Sequence, residues 1–470
     1  MLRGAGAFAV LTVVAALLVL QPALAAGVVL GGALVYVTVT WPLVVVGLML
    51  ALGPLDLSFV TGGFKGLFPQ FGGLDMNGIR LVGISAALLV VIATDRAGLA
   101  QLARGSARWY VLFLVWAVLT LAWSRDPLEG ARLLFKLTYP LLVFLVIASP
   151  GRTREEVVRV ADGVLIGAAL ILLLNPFLVA AGGYQFDIDG RLRVGGLGLH
   201  ENPFSFYLLV VILMCVGRFA VRGGVRYLLL AGLAAAWMTL TLTRITLGAG
   251  LAGLGGLALY GVLVSRNYRL AGAAAGIALL IGLALGPVAL ERSFGFRPSF
   301  AQLSSYVADP VGLFNAVSWS GREEFWPALV AAWGTAPLTG LGLGTSSMLM
   351  QTVFPPEAGG VAHNEYLRLG VDSGLVGVLL FAGAAFAWLG AALRAGRSPA
   401  RGAGEFALPA LGGMLAWAII SATDNAFDYY SPFTQFMGFL VGGAMVLARE
   451  QEPATSLDPS ETPGYLASRV

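Results

Sequence analysis

The sequence predicts an all-α membrane protein: a polytopic transmembrane bundle of about 12–14 helices, with one long external loop that carries short helices. Hydrophobic residues make up 58% of the 470-residue chain and charged residues only 11%, whereas a soluble domain is usually about one-quarter charged. Apolar segments recur along almost the whole chain, and most are long enough to cross a bilayer as a helix. Arginine-rich connections alternate with arginine-poor ones, as expected for a chain that crosses a membrane repeatedly.

The apolar segments place the predicted spans along the chain. Pro42 divides the second segment, which is expected to break into two short spans. The first segment is predicted to be a span rather than a cleaved signal, because apolar sequence continues beyond the Ala-Leu-Ala-Ala stretch near residue 25. We predict one transmembrane domain over 1–448 and a disordered cytoplasmic tail over 449–470, which is rich in Glu, Pro and Ser. The apolar segments run over 7–22, 26–51, 80–94, 109–123, 132–149, 157–181, 203–217, 227–242, 245–265, 270–290, 366–393, 406–422 and 431–448.

Arginines give the predicted orientation of these spans. Every second connection is rich in arginine, and the positive-inside rule makes those connections cytoplasmic. The cytoplasmic groups are Arg96, Arg104 and Arg108; Arg152, Arg154 and Arg159; Arg218, Arg222 and Arg226; Arg266 and Arg269; and Arg394, Arg397 and Arg401. The remaining connections are then external, and by far the longest is 291–365. The external connections are 52–79, 124–130, 182–202, 242–245, 291–365 and 423–430.

Composition argues against several classes of function. Cys215 is the single cysteine, which excludes an internal disulfide and argues against a cysteine-based metal site. The two histidines lie far apart and form no His-rich metal motif, so we expect neither a metal nor another cofactor. No basic run with interleaved aromatic residues is present, so nucleic acid is not expected as a partner. The sequence also lacks a G-x-x-x-x-G-K-[ST] loop, so we expect no NTPase activity.

A titratable side chain, His363, stands where the long external loop re-enters an apolar helix. On a continuous helix, the glycines that follow it would let another helix pack closely beneath the histidine. Glu365, Arg368 and Asp372 would lie on roughly the opposite side and can pair with one another, with Arg368 and Asp372 expected to form a structural i,i+4 pair. A lone histidine in such a place is more often interfacial than catalytic, and both interpretations stay open at this point. The predicted histidine face carries His363, Tyr366, Gly370, Gly374 and Gly377, and the opposite face carries Glu365, Arg368 and Asp372.

Among the arginines on the predicted external side, which run against the positive-inside rule, four stand out. Arg191 and Arg193 precede the span that begins near residue 203, Arg244 lies in a tight turn between two apolar segments, and Arg322 lies in the long loop. Arginine at membrane depth is costly unless it is paired or functional. Its planar guanidinium can bind phosphate through two hydrogen bonds, so these residues are candidate phosphate ligands.

Each of these arginines also has a structural interpretation. The first two could be ordinary solvated loop residues. The tight turn that carries Arg244 is too short for a solvated loop, so the structural interpretation of this residue is an ion pair with Asp424 or Asp428. Arg322 could instead pair with one of the two glutamates that follow it.

Three further segments of the external side have a predicted structure. His200 begins the span that also carries Asn202, and it is expected to cap or hydrogen-bond within that span. The stretch 323–333 predicts an amphipathic helix that lies flat at the outer interface or docks on the bundle. The glycine-rich stretch 338–345 predicts a flexible connector. The apolar face of the amphipathic helix carries Phe325, Trp326, Leu329, Val330 and Trp333.

Four short motifs, taken in order, resemble those of the O-antigen ligase and Wzy-type polymerase superfamily, which are integral-membrane glycosyltransferases of the GT-C kind. His363-Asn364, Gly374 and Gly377 match the ligase signature of His-Asn, nine residues, Gly, two residues and Gly. The other three are Arg193…His200-Glu201-Asn202, with Glu201 in place of the family's proline; Thr243-Arg244, with threonine in place of serine; and Ser320-Gly321-Arg322 followed by Trp326. The resemblance covers most of the chain and is strongest from about 185 to 390.

The resemblance implies a substrate and a role for each candidate residue. The donor would be a glycan on undecaprenyl pyrophosphate, at the outer face of the bacterial cytoplasmic membrane. The acceptor would be a hydroxyl of a glycan, of lipid A–core or of a protein, and transfer would invert the anomeric centre without a metal. The polyprenyl chain would lie in an apolar groove of the bundle. His363 would be the catalytic base; Arg244, Arg322, Arg193 and Arg191 would bind pyrophosphate; and Asn364, Asn202, His200, Tyr366 and Trp326 would support the site.

Several functions compete at this stage. A ligase passes the glycan to a different acceptor, whereas a polymerase adds it to another repeat unit, and the long loop with its histidine signature favours the ligase. A multi-span transporter would also suit many apolar helices. However, the unusual polar residues gather at one membrane face, and the sequence shows no inverted repeat. The related cell-wall polymerases rest on a catalytic aspartate in an external loop, which the histidine run does not suit.

Overall fold

The computed structural model describes residues 32, 36–38, 40–53, 76–180, 184–186, 192–196, 201–296, 298–309, 312, 316–318, 322–353, 361–398, 400 and 402–449. Within these ranges, seven helices are long and apolar enough to cross a membrane, or eight if a pair bent by 107° forms one span. This confirms the predicted all-α polytopic bundle. The segment 7–22 and the tail from 450 onwards lie outside the described residues, so the number of crossings and the domain boundaries stay predictions.

The helices follow the apolar pattern of the sequence closely. Every apolar segment predicted between residues 80 and 448 coincides with a helix, and α1 begins at Pro42, where a break was predicted. A short antiparallel hairpin, β1 (Tyr184–Phe186) and β2 (Leu192–Val194), precedes α7. The helices are α1 (Pro42–Ala51), α2 (Met76–Thr94), α3 (Arg96–Arg104), α4 (Arg108–Thr120), α5 (Pro127–Ala148), α6 (Arg154–Ala180), α7 (Glu201–Arg222), α8 (Val225–Leu240), α9 (Arg244–Leu263), α10 (Tyr268–Phe294), α11 (Phe300–Ala308), α12 (Arg322–Thr335), α13 (Thr345–Val353), α14 (Glu365–Arg397), α15 (Gly404–Thr423) and α16 (Gln435–Arg449).

Helix α7 forms the centre of the bundle. Its side chains are buried on almost every face, and it packs against α8, α10 and α15. A helix in such a position has no polar face to present to water, which is why its sequence is apolar all round. At about 1.5 Å per residue, its 22 residues span roughly 33 Å, enough to cross a bilayer.

The two ends of α7 have different chemistry. At its C-terminal end, Arg218 Nη1 lies 2.6 Å from Asp162 Oδ1, and its Nε lies 3.1 Å from Glu405 Oε2. Arg222 Nε binds the other oxygen of Glu405 at 2.7 Å. We call this region, defined by Arg218, Arg222 and Glu405, the arginine end. The histidine end is the opposite one, where α7, α9 and α14 begin and α15 ends.

The long loop carries short helices, as expected. Helix α12 covers the predicted amphipathic stretch and packs on α14, which is the docked form of the two alternatives. Phe325 and Leu329 are buried in a small cluster that includes Val371 of α14. The predicted apolar face was wrong at Val330, which is 52% exposed, because the docked side of the helix is narrower than the sequence pattern suggested.

The glycine-rich stretch after α12 is a tightly packed strap rather than a flexible connector, so that prediction was wrong. Gly340, Gly342 and Gly344 all have positive φ, at 70°, 100° and 92°. A Cβ on Gly342 would collide with the backbone of Ser124, so only glycine allows this approach. The intervening Leu343 is fully buried.

The strap fits into a break in α14, and this overturns the prediction of a continuous helix. Gly374 has φ 65° and ψ −172°, which is not helical. The amides freed by the break are bound by the strap: Leu375 N donates to Pro337 O at 2.8 Å, and Val376 N donates to Leu338 O at 3.2 Å. The residues beyond the break therefore do not continue the face that the sequence pattern predicted.

The expected pair between Arg368 and Asp372 was also wrong. Asp372 accepts hydrogen bonds from Ser346 N at 2.7 Å and from Ser346 Oγ at 3.0 Å, at the start of α13. Arg368 instead binds Glu365 and Asp428. The bond of Arg368 to Glu365, three residues earlier on the same helix, agrees with the predicted shared face, whereas Asp428, 60 residues away, takes the place expected for Asp372.

Candidate active site

His363 lies immediately before α14 rather than on a helix face, which corrects its predicted position. Its φ is 46°, and the helix starts at Glu365, after the N-cap residue Asn364. The side-chain oxygen of Asn364 accepts a hydrogen bond from Leu367 N at 3.0 Å, and its amide nitrogen donates to Ala422 O at 2.9 Å. Asn364 thus starts α14 and ties that start to the end of α15.

Asp424 is the closest partner of the histidine. His363 Nδ1 lies 3.0 Å from Asp424 Oδ1, and the side chains are 28% and 1% exposed, respectively. A carboxylate at Nδ1 assigns the proton of a neutral imidazole to that nitrogen and leaves the lone pair on Nε2. The pair therefore consists of a partly accessible base and a buried carboxylate that orients it.

The second oxygen of Asp424 is also occupied. Tyr429 Oη donates to Asp424 Oδ2 at 3.2 Å, and Asn425 N donates to Oδ1 at 2.9 Å. Burial and then the nearby charge of Asp424 raise the pKa of the Tyr429 phenol well above its usual value. The phenol therefore stays protonated as a donor, and the carboxylate is held from several directions.

Asn202 and Thr243 connect this pair to the predicted arginine turn. Asn202, at the start of α7, lies beside the Tyr429 phenol. Thr243 Oγ1 donates to Asn202 Oδ1 at 3.4 Å and directly precedes Arg244 at the start of α9. The predicted Asn202 and Arg244 are thus brought to the same end of the bundle as the histidine.

Arg244 is held by backbone oxygens from the end of α10 and from the long loop. Its Nη1 donates to Arg292 O at 3.0 Å and to Ser318 O at 3.1 Å. Arg292 in turn donates from Nη1 to Leu242 O at 3.0 Å, so both guanidinium groups join the turn before α9 to the end of α10. Asp424 and Asp428, the proposed structural partners of Arg244, bind His363 and Arg368.

Arg322 begins α12, whose first turns dock beside the histidine. The ring centroids of Phe325 and His363 are 6.4 Å apart. Trp326 Nε1 donates to Ala362 O at 3.1 Å, directly before His363. Docking of α12 therefore places its N-terminal turn, where Arg322 lies, at the histidine end.

Arg193 has a carboxylate partner of its own. It lies on β2, pairs with the buried Glu201, and donates from Nε to Thr241 O at 3.3 Å. Glu201 stands where the family's motif has proline, so the residue that departs from the motif is the one that pairs with Arg193. Arg191 and His200 lie outside the described residues.

Tyr366 lies at one end of an apolar groove between α9, α14 and α15. Its hydroxyl donates to Ala418 O at 3.0 Å. The groove has a volume of about 430 Å³ and continues along the helices to Tyr260 and Leu393. Its rim includes exposed apolar side chains, such as Phe386 at 70% exposure, so the groove opens on the apolar surface of the bundle.

The structure brings to this site four residues that no sequence motif indicated: Asp424 as the partner of His363, Tyr429, Lys136 and Arg292. The acidic connection 423–430 was predicted to be external, which could have drawn attention to its carboxylates. In the described part of the chain, no three His, Cys, Asp or Glu side chains form a metal-binding group.

Residues 227–382 match a family model described as O-antigen ligase. This segment is therefore similar to the O-antigen ligase family. It contains Arg244, Arg322 and His363, and it lies within the region where the resemblance was strongest. The site also draws on the parts of the chain on either side of the match, through Asn202 and Asp424. No curated protein matches the chain. The family assignment supports a membrane enzyme acting on lipid-linked glycans.

Proposed function

We propose that the protein is an O-antigen ligase-like glycosyltransferase of the bacterial cytoplasmic membrane. It moves a glycan from undecaprenyl pyrophosphate to an acceptor hydroxyl at the outer face, with inversion and without a metal. The observation that carries this proposal is the His363–Asp424 pair, which lies at the same end of the bundle as Arg244 and the N-terminal turn of α12. A base beside phosphate-binding cations is what transfer from a sugar diphosphate requires.

In the proposed step, His363 Nε2 takes the proton of the acceptor hydroxyl as its oxygen attacks the anomeric carbon. The bond between that carbon and the diphosphate oxygen breaks, and the lipid-linked pyrophosphate departs with the electron pair. Asp424 keeps the Nδ1 proton in place and stabilises the imidazolium that forms. Attack opposite the leaving group inverts the anomeric configuration.

Arg244 and Arg322 stabilise the departing pyrophosphate in this proposal, because cationic donors lower the energy of the charge that develops there. Arg193 is a secondary ligand, since its charge is already balanced by Glu201; Arg191 stays a sequence-based candidate. Asn364 supports the base by capping α14, and Asn202 supports it through Tyr429. The same supporting role is proposed for His200.

The groove beside Tyr366 suits the polyprenyl chain of the donor. It runs between α9, which begins at Arg244, and α14, which follows His363, so a lipid lying in it places its head between the two. The chain is already in hydrocarbon within the bilayer, so van der Waals packing against the groove, and not removal from water, favours it there. Trp326 keeps α12 docked over this end through its bond to Ala362 O.

The test is transfer by the purified full-length protein from an undecaprenyl-pyrophosphate oligosaccharide, supplied alone or with lipid A–core, without added metal. A product that requires lipid A–core supports the ligase, whereas a ladder from donor alone identifies a Wzy-type polymerase. His363→Ala, Arg244→Ala and Arg322→Ala should each abolish or strongly reduce transfer. Arg269→Ala, at the start of α10 near the arginine end, is the control. Full activity of a folded His363→Ala protein would refute the base role, and absence of transfer by folded wild type would favour a transporter.

A further inference from the structure

Behind the histidine lies a cluster of charged side chains to which the proposed reaction gives no role. Arg368 forms a fork on Glu365, with Nε donating to Oε1 at 2.9 Å and Nη2 donating to Oε2 at 2.7 Å. Its remaining Nη1 donates to Asp428 Oδ2 at 2.9 Å. Lys136 of α5 binds the other oxygen of Asp428 at 2.6 Å. We call Glu365, Arg368, Asp428 and Lys136 the charged clamp.

The clamp joins the two chain segments that carry the catalytic pair. Glu365 comes two residues after His363, and Asp428 comes four residues after Asp424. Glu365 Oε2 also accepts a hydrogen bond from Phe427 N at 3.2 Å, inside the second segment. One guanidinium therefore binds carboxylates from both segments, and it does so beside the bonds of Asn364 to Asn425 and Ala422 that also join them.

The geometry of the clamp requires arginine in particular. Glu365 is fully buried and Arg368 nearly so, so water cannot replace the lost bonds. A lysine keeps the charge but is a compact point charge without a planar fork, and it cannot hold Glu365 bidentately and Asp428 at the same time. Removing the charge would instead leave buried carboxylates uncompensated, which is costly in itself.

We propose that Arg368 is a positioning residue that sets the tautomer of His363 by holding Asp424 against Nδ1. A catalytic role of Arg368 rests on the proposed function, whereas the contacts of the charged clamp do not. The groups in contact with the pair are Asp424 at His363 Nδ1, Tyr429 and Asn425 N at Asp424, and the Phe325 ring of α12 beside the imidazole.

The test uses the fact that the chain has only two histidines. With ¹⁵N-labelled histidine in the full-length protein, the Nδ1 and Nε2 shifts report which nitrogen carries the proton, and a His200→Gln variant assigns the two signals. Wild-type His363 is expected to be protonated on Nδ1. In Arg368→Lys, the Nδ1–H form should be largely lost in favour of Nε2–H, the form that a free neutral imidazole prefers.

Arg218→Lys is the matched control. Arg218 is equally buried and also binds two carboxylates, Asp162 and Glu405, but it lies at the arginine end. Both lysine variants should lose thermal stability, and only Arg368→Lys should change the His363 tautomer. If both variants leave Nδ1–H intact, or both change it alike, the positioning role is refuted.

A second variant and a second readout complete the test. Asp428→Asn keeps the shape of the clamp and is milder, so it serves if Arg368→Lys does not fold; it should also increase the Nε2–H form. Where transfer is observed, Arg368→Lys should lower kcat by about 10- to 100-fold, since a small displacement of a catalytic group has that cost. The tautomer of His363 is measured without substrate, so a failure of transfer alone would refute the proposed glycosyltransferase function but not the positioning role of Arg368.

Discussion

Replacing Asp424 with asparagine should disable the proposed base while leaving its surroundings in place. The substitution keeps the size of the side chain; when its amide nitrogen takes the Oδ1 position beside His363, the amide oxygen still accepts from Tyr429, and only the bond from Asn425 N is lost. An asparagine amide can donate to His363 Nδ1, which moves the imidazole proton to Nε2. The nitrogen that should accept the acceptor's proton is then already protonated.

The size of the effect follows from that geometry. Asp424 is almost fully buried, so no solvent anion or water can replace the lost carboxylate. In serine proteases, the corresponding change of aspartate to asparagine preserves geometry and lowers kcat about 10⁴-fold through the wrong tautomer. We expect a loss of about 10²- to 10⁴-fold here, which is ~2.7–5.4 kcal/mol of transition-state stabilisation.

Tyr429→Phe is the matched comparison, because it removes one donor from Asp424 and leaves the carboxylate. One hydrogen bond contributes about 0.5–1.5 kcal/mol, so kcat should fall by about 2- to 10-fold. Both variants are assayed for single-turnover transfer from undecaprenyl-pyrophosphate oligosaccharide at saturating acceptor. If Asp424→Asn is folded and loses less than Tyr429→Phe, the orienting role of Asp424 is wrong.

Three further predictions concern the strap, the clamp and the donor site. Gly374→Ala should lower the free energy of unfolding by at least about 3 kcal/mol, because the φ of 65° and ψ of −172° at this position exclude a Cβ. The control is Gly272→Ala at an exposed position, which should be neutral or slightly stabilising. Equal apparent Tm values for the two variants would contradict this prediction. Although burial opposes it, Arg368 and Lys136 lower the pKa of Asp428 to about 2, so the stability it contributes should be lost as pH falls from about 4 towards 2. Unfolding curves that coincide for wild type and Asp428→Asn over that range would refute this contribution. Arg244→Lys should weaken donor binding by about tenfold through loss of the guanidinium fork, and an unchanged KM for the donor would argue against a phosphate role.

The prediction of the fold succeeded because it used local properties. A run such as 203–217 is apolar on every side, and it became the buried α7. The amphipathic stretch 323–333 became α12, but its buried side was narrower than predicted, since Val330 faces away from the docking surface. Helix existence follows from the chain's own composition, whereas the buried face depends on the helix that it meets.

The structure brings several of the predicted site residues to one end of the bundle, but their local geometry differs from the predicted one. Arg244 and Asn202 do come to the end of the bundle where His363 lies, through Thr243 and Tyr429. The histidine itself stands before the helix, because Asn364 takes the N-cap position. A side-chain cap competes with helix extension, and periodicity alone cannot show which one wins.

By itself, the sequence determined the membrane-spanning helices, the arginine asymmetry between connections and the positions of the motifs, because hydropathy, charge and short spacings are properties of neighbouring residues. Only the tertiary structure decided that Asp424 is the carboxylate of His363, that Arg368 binds Asp428 and not Asp372, and that α14 breaks at Gly374. His363 and Asp424 are 61 residues apart in the chain. Such pairings arise when one helix end packs against another, and local sequence patterns do not indicate which ends will meet.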